Sequence, residues 1–172
     1  MAVKKSIHLD LEEGLDRKTL KQLVNRFMDI NRGRMQRTRE ALPGRQQLFL
    51  DLLPLLFHVN HPLLPGYAGS DVPCGISDYT PHKDTLAAAQ RLTRSFQHKR
   101  RASARVWVHS IFLMGSTGTI AHSGSSSDMD VWICYRPGLN RESIQLLQTK
   151  ADLITEWAEE IGVEAHFFVM DD

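Results

Sequence analysis

The stretch that most limits what this chain can fold into runs from Ile111 to Cys134, IFLMGSTGTIAHSGSSSDMDVWIC. Ile111 to Met114 read as a short apolar strand that ends at Gly115-Ser116. A helical turn or loop follows, then a Ser/Gly segment, and then a second apolar strand carrying Asp128 and Asp130. Successive strand side chains alternate faces, so these two carboxylates project from the same side. Met129 and Val131 are expected on the opposite face, with Trp132 and Ile133 beyond them helping to bury the strand. Two carboxylates beside a Gly-Ser turn with free backbone N–H groups suit a divalent metal and a phosphate. The competing structural reading is a Ser/Gly-rich hairpin loop with Asp128 as a turn residue. Spacing favours the metal–phosphate site: an apolar strand, Gly-Ser, roughly a dozen residues, then Ser-Asp-x-Asp on a second apolar strand.

At 172 residues the chain can bury one real core and has little room for two. A net charge of +1 gives no bulk electrostatic argument for a nucleic-acid or membrane partner. Charge is nonetheless uneven: Arg91 to Arg105 is basic without an acid, and the chain after Asp128 is rich in Asp and Glu. The run Lys99–Arg105 could reach a triphosphate, or it is a solvated linker. Cys74 and Cys134 lack metal-ligand spacing, and Cys134 in an apolar strand is expected to be a buried free thiol. With no disulfide framework, no signal peptide and no stretch of membrane-spanning length, a soluble cytoplasmic protein is expected.

The remaining elements follow from periodicity and punctuation. Asp16 is placed to cap a helix running to about Leu42, with Leu20, Leu23, Val24, Phe27, Met28 and Ile30 as its buried face. Its cationic second half, NRGRMQRTRE, reads as a solvated face. After Pro43-Gly44 a more apolar helix spans about Arg45 to Val59, with Pro54 expected to kink or divide it. The two helices are expected to form an antiparallel hairpin. A Pro/Gly-rich connection, His58 to Pro81, follows; its His58 and His61 suit capping or loop packing better than metal binding, and Tyr67 and Tyr79 could anchor it or cover a base. Asp84 is expected to cap a helix from Thr85 to about Gln97. A last helix, about Arg141 to Ile161, carries a core stripe that includes Trp157 and ends at Gly162, before a strand from Val163 to Met170. Strand–helix–strand order indicates an α/β-like or α+β chain.

The Gly-Ser and Asp-x-Asp spacing resembles the signature of the DNA-polymerase-β-like nucleotidyltransferase superfamily. In that family the Gly-Ser pair binds the nucleotide triphosphate and two aspartates hold two metal ions. Such a site needs a further acid at the attacking hydroxyl, able to take up its proton. Glu164 is the best candidate, since its strand should lie beside the one bearing Asp128 and Asp130. Asp171 and Asp172 are rivals at the far end, and a solvated strand-edge glutamate is the plain structural reading.

Longer stretches carry a narrower resemblance. LLPLLFHVNHPLLPGY, IFLMGSTGTI, SDMDVWIC and EAHFFVMDD resemble the amino-terminal region of the class I adenylate cyclases of gamma-proteobacteria, from about Leu20 onward. The resemblance implies an α+β nucleotidyltransferase fold with a small mixed sheet, preceded by the helical hairpin. Residues 1–100 would be a helical region packed on the core and 101–172 the catalytic core, together one structural unit truncated at its C-terminus. It implies conversion of ATP to 3′,5′-cyclic AMP and pyrophosphate with Mg²⁺ or Mn²⁺. Asp128 and Asp130 would bind metal, Glu164 would help activate the ribose 3′-hydroxyl, and Gly115, Ser116 and Ser127 would contact the nucleotide. Family members are several times longer, so the missing C-terminal part of a longer cyclase chain is an expected partner. Two other functions fit the signature: nucleotidyl transfer to an RNA end, protein or small molecule, and a non-catalytic nucleotide-binding or interaction module.

Overall fold

The computed structural model describes residues 16–98, 106–115, 119 and 128–171. Ser116, Ser127, Asp172 and the basic run Lys99–Arg105 lie outside them. The order of elements is α1 (Arg17–Ala41), α2 (Gly44–His58), α3 (Lys83–Leu92), β1 (Val108–Met114), β2 (Met129–Tyr135), α4 (Arg141–Glu160) and β3 (Ala165–Asp171). The strands form one three-stranded mixed sheet in the order β1-β2-β3. β1 pairs antiparallel with β2, and β2 pairs parallel with β3. A parallel pair needs a long crossover, which α4 supplies. The α+β architecture with an N-terminal helical pair and a small mixed sheet is as expected.

One face of the sheet is the core. Val131, Ile133, Met129 and Ala165 are buried there against α2, whose Phe49, Leu52, Leu53, Leu55, Leu56 and Phe57 are almost fully enclosed. Each such side chain contributes about 1.5–3 kcal/mol of apolar burial. Phe57 and Phe49 meet Phe167 of β3, and Trp157 of α4 stacks on Phe49 with ring centroids 6.2 Å apart. α4 lies on the same side through Leu147, Ala151, Ile154 and Ala158. Asn140 caps it by accepting from the Ser143 N–H at 2.8 Å, and Gly162 turns the chain back at φ +81. The other face of the sheet carries no described helix.

Several local expectations change in the structure. α2 runs unbroken through Pro54, because fully buried neighbours on both sides hold the helix where local propensity alone would kink it. α3 is capped by His82, whose Nδ1 accepts from the Asp84 N–H, so Asp84 sits in the first turn instead of capping it. The helix stops at Leu92; Thr93 turns extended and Phe96 folds back into the core. α1 keeps its predicted bounds and its Asp16 cap, but its apolar stripe is not buried: Val24 is 50% and Phe27 59% exposed. Only Thr38 of α1 is buried, since the helix is attached at its C-terminal half and not along its length.

The long connection is packed by its histidines, as expected. Buried His58 accepts from the Ile76 N–H at Nδ1 (3.1 Å) and meets the Tyr79 ring edge-on. His61 accepts from the Leu63 N–H and packs edge-on against Phe96. Ile76 bridges Val108 in parallel, which ties the connection to the start of β1. Cys74 and Cys134 are free, and Cys134 is half-buried, because its register places it on the open face of the sheet.

Candidate active site

Register decides which side chains meet. Asp130 lies opposite Met114 of β1 and beside His166 of β3. Asp128 stands one pleat earlier on the same face, and Glu164 occupies the equivalent place before His166, its carbonyl accepting from the Met129 N–H at 2.8 Å. Asp128, Glu164 and His166 offer ligand atoms that lie within 4.8 Å of one another. His166 Nε2 is 3.5 Å from Asp128 Oδ1 and 3.5 Å from Glu164 Oε1. Asp130 flanks this group on the β1 side.

β1 delivers Gly115 to the same end of the sheet. Gly115 has φ +82, a left-handed conformation that favours glycine, and a Cβ there would come 3.8 Å from Asp130 Oδ2. Its carbonyl accepts a hydrogen bond from the Arg34 guanidinium of α1. Arg34 therefore belongs to the site's surroundings and not to a purely solvated face. The candidate residues Asp128, Asp130, Glu164 and Gly115 are thus brought together. Asp171 pairs with Tyr135 at the opposite end of β3, about 20 Å along the strand from Ala165, and takes no part in the cluster.

Trp132 departs from the sequence expectation. Alternation puts Ile133 in the core and Trp132, half-buried, on the acid face beside Phe168. Sequence reasoning also missed His166. The signal was available: Glu164-x-His166 repeats the two-residue spacing of Asp128-x-Asp130, and parallel register aligns the pairs. Arg34 had no local signal, since it reaches Gly115 across 81 positions.

The donor set suits a hard or borderline divalent cation: carboxylate oxygens fit Mg²⁺ and Mn²⁺, and an added imidazole is tolerated by Mn²⁺. A shallow cavity of about 480 Å³ between the end of α4 and the start of β3 is lined by Glu164 and His166 and keeps both accessible. A roomier cavity of about 620 Å³ lies among Ser70, Cys74, Trp107 and Asn140. It contains none of the clustered residues.

A small mixed sheet presenting acids from neighbouring strands beside a glycine turn is consistent with a nucleotidyltransferase-like fold. Within that class, the family model described as "Adenylate cyclase NT domain" matches residues 19–172, and the chain belongs to this family. It is 38% identical over 157 residues to the adenylate cyclases of Salmonella typhimurium and Escherichia coli K12, covering 90% of this chain. The adenylate cyclase of Yersinia pestis is 34% identical over 157 residues. The chain spans 18% of the length of these relatives. No solved structure shows significant similarity. No described helix is long and apolar enough to cross a membrane.

Proposed function

We propose that the chain is the catalytic N-terminal part of an adenylate cyclase, which converts ATP to 3′,5′-cyclic AMP and pyrophosphate. The observation that supports this most directly is the convergence of Asp128, Asp130, Glu164 and His166 at the Gly115 end of the open sheet face. Asp128 and Asp130, with Glu164, would hold Mg²⁺ or Mn²⁺. When bound, such ions neutralise charge on the phosphates and on the leaving pyrophosphate. Gly115 and Ser116 cradle the triphosphate, and Ser127 contacts it.

In the reaction the ribose 3′-oxygen forms a bond to the α-phosphorus, and the bond from that phosphorus to the bridging oxygen of the β-phosphate breaks. Glu164 accepts the 3′-hydroxyl proton. His166, between Asp128 and Glu164, holds the two carboxylates apart and oriented. Arg34 fixes the backbone of the phosphate turn through Gly115. Free thiols and the use of ATP support a cytoplasmic setting for this chemistry.

The test is cyclic AMP production by the purified chain with ATP and Mg²⁺ or Mn²⁺, beside an Asp130→Asn variant. Product that disappears in the variant is the expected result. Metal-dependent ATP binding without product would instead make this segment a nucleotide-binding part whose catalysis needs the remainder of a longer chain.

A further inference from the structure

We propose that the row Phe112–Trp132–Phe168 on the open face of the sheet is the seat of the purine base of the bound nucleotide. This rests on the nucleotide reading of the acid end and extends it to the other half of the ligand. Phe112 lies directly opposite Trp132, and Trp132 lies beside Phe168. The row is one pleat period, about 7 Å, from the row Met114–Asp130–His166 on the same face.

These rings are not needed for the core. The intervening residues Leu113, Val131 and Phe167 point to the opposite face and pack there. Phe112 remains 46% and Phe168 45% exposed, and Trp132 is half-buried. The rings of Trp132 and Phe168 are 6.2 Å apart and tilted by 56°, so they do not stack face to face on each other. A contiguous aromatic strip on a solvent-facing sheet marks a binding surface.

The order along the sheet then matches the order of parts in a nucleoside triphosphate. Gly115, Asp128 and Glu164 stand at the phosphate end, Asp130 and His166 come next, and the aromatic row follows where the base would lie. Base–aromatic stacking needs only a π-face and supplies affinity without hydrogen-bond readout.

The experiment compares ATP with inorganic tripolyphosphate, which keeps the phosphates and lacks the base, in calorimetric titrations of the chain with Mn²⁺. ATP is expected to bind about tenfold tighter. Phe112→Leu and Phe168→Leu, which keep apolar bulk at exposed positions, should each erase most of that advantage and leave tripolyphosphate affinity unchanged. Saturation transfer from protein aromatic protons to adenine H2 and H8 should be seen in the unsubstituted chain, a readout that depends on no variant folding. Tripolyphosphate binding that Asp130→Asn abolishes, with ATP no tighter, would leave the acid site standing and overturn the base seat. An ATP preference that survives both leucine variants would also overturn it and assign the row to contact with further protein. If neither ligand bound, the nucleotide reading itself would fall, and the base seat with it.

Discussion

The guanidinium of Arg34 donates to the carbonyl of Gly115, joining a helix with one buried side chain to the turn beside Asp130. α1 contributes little apolar burial, so this bond matters more for placing the turn than for holding the fold together. Arg34→Ala is expected to weaken metal-dependent ATP binding several-fold. Unfolding free energy should change by less than about 1 kcal/mol. Calorimetric titration and urea unfolding of the same variant separate the two effects; a large stability loss with unchanged binding would reverse the assignment.

Glu164 and Asp171 sit at opposite ends of β3 and make a matched pair for testing the third acid. Glu164→Gln is expected to reduce Mn²⁺ affinity at least about tenfold, and His166→Ala to reduce it by a similar factor through the lost neighbour. Asp171→Asn should leave it unchanged. Titration of free Mn²⁺ by electron paramagnetic resonance reads all three variants directly.

Gly66 packs where no side chain fits. Its φ is +81, and an added Cβ would meet Ile154 Cγ1 at 2.5 Å. Gly66→Ala combines left-handed strain with a forced shift of a buried α4 residue, and about 2–4 kcal/mol of stability should be lost. Gly69 is also left-handed, at φ +104, but a Cβ there meets nothing within 4 Å, so Gly69→Ala should cost only about 1 kcal/mol. Comparing the urea midpoints of the two variants isolates the packing contribution.

Lys150 is 1% exposed, with Nζ donating to the Gly66 carbonyl at 3.1 Å. Burial lowers its pKa from 10.5 to about 8, partly opposed by Cys74. Between those values the unfolded chain holds a proton that the folded chain has released, so stability rises with pH across that window. It is lowest below about pH 8, and the whole gain is about 3 kcal/mol. Lys150→Met should flatten the rise and leave stability at pH 7 equal or higher, since it removes a buried charge of similar bulk. Denaturant unfolding from pH 7.5 to 10 in both proteins measures the difference in slope.

His58 titrates in the opposite range. Burial, and then His98, lower its pKa below 6.5, and its Nδ1 must stay unprotonated to accept from Ile76. The unfolded chain therefore takes up a proton first as pH falls, and stability declines from about pH 6.5 downward. His58→Gln, which retains an acceptor, should reduce that decline; melting temperatures between pH 7.5 and 5 provide the check.

Local order was largely legible in the chain. Asp16 and Gly162 mark helix ends by chemistry that acts within a few residues, and the Asp128-x-Asp130 alternation alone puts both acids on one face. Errors arose where distant packing outweighs local preference. Pro54 stays inside a helix because its neighbours are buried against the sheet, and Thr93 ends α3 because Phe96 must reach the core. The α1 stripe has helical period in the sequence, yet period states only that one face is apolar and not that anything covers it.

What the sequence determined by itself was the set of elements, the glycine turn and the acid strand, because capping, alternation and turn chemistry are properties of adjacent residues. Only the tertiary structure decided that β3 lies parallel to β2 in the register that puts His166 beside Asp130 and Glu164 beside Asp128. It also decided that Trp132 lines the acid face with Phe112 and Phe168, and that Arg34 reaches Gly115. Strand pairing and helix docking join residues far apart in the chain, and their register is settled by how the buried face of the sheet fits α2 and α4.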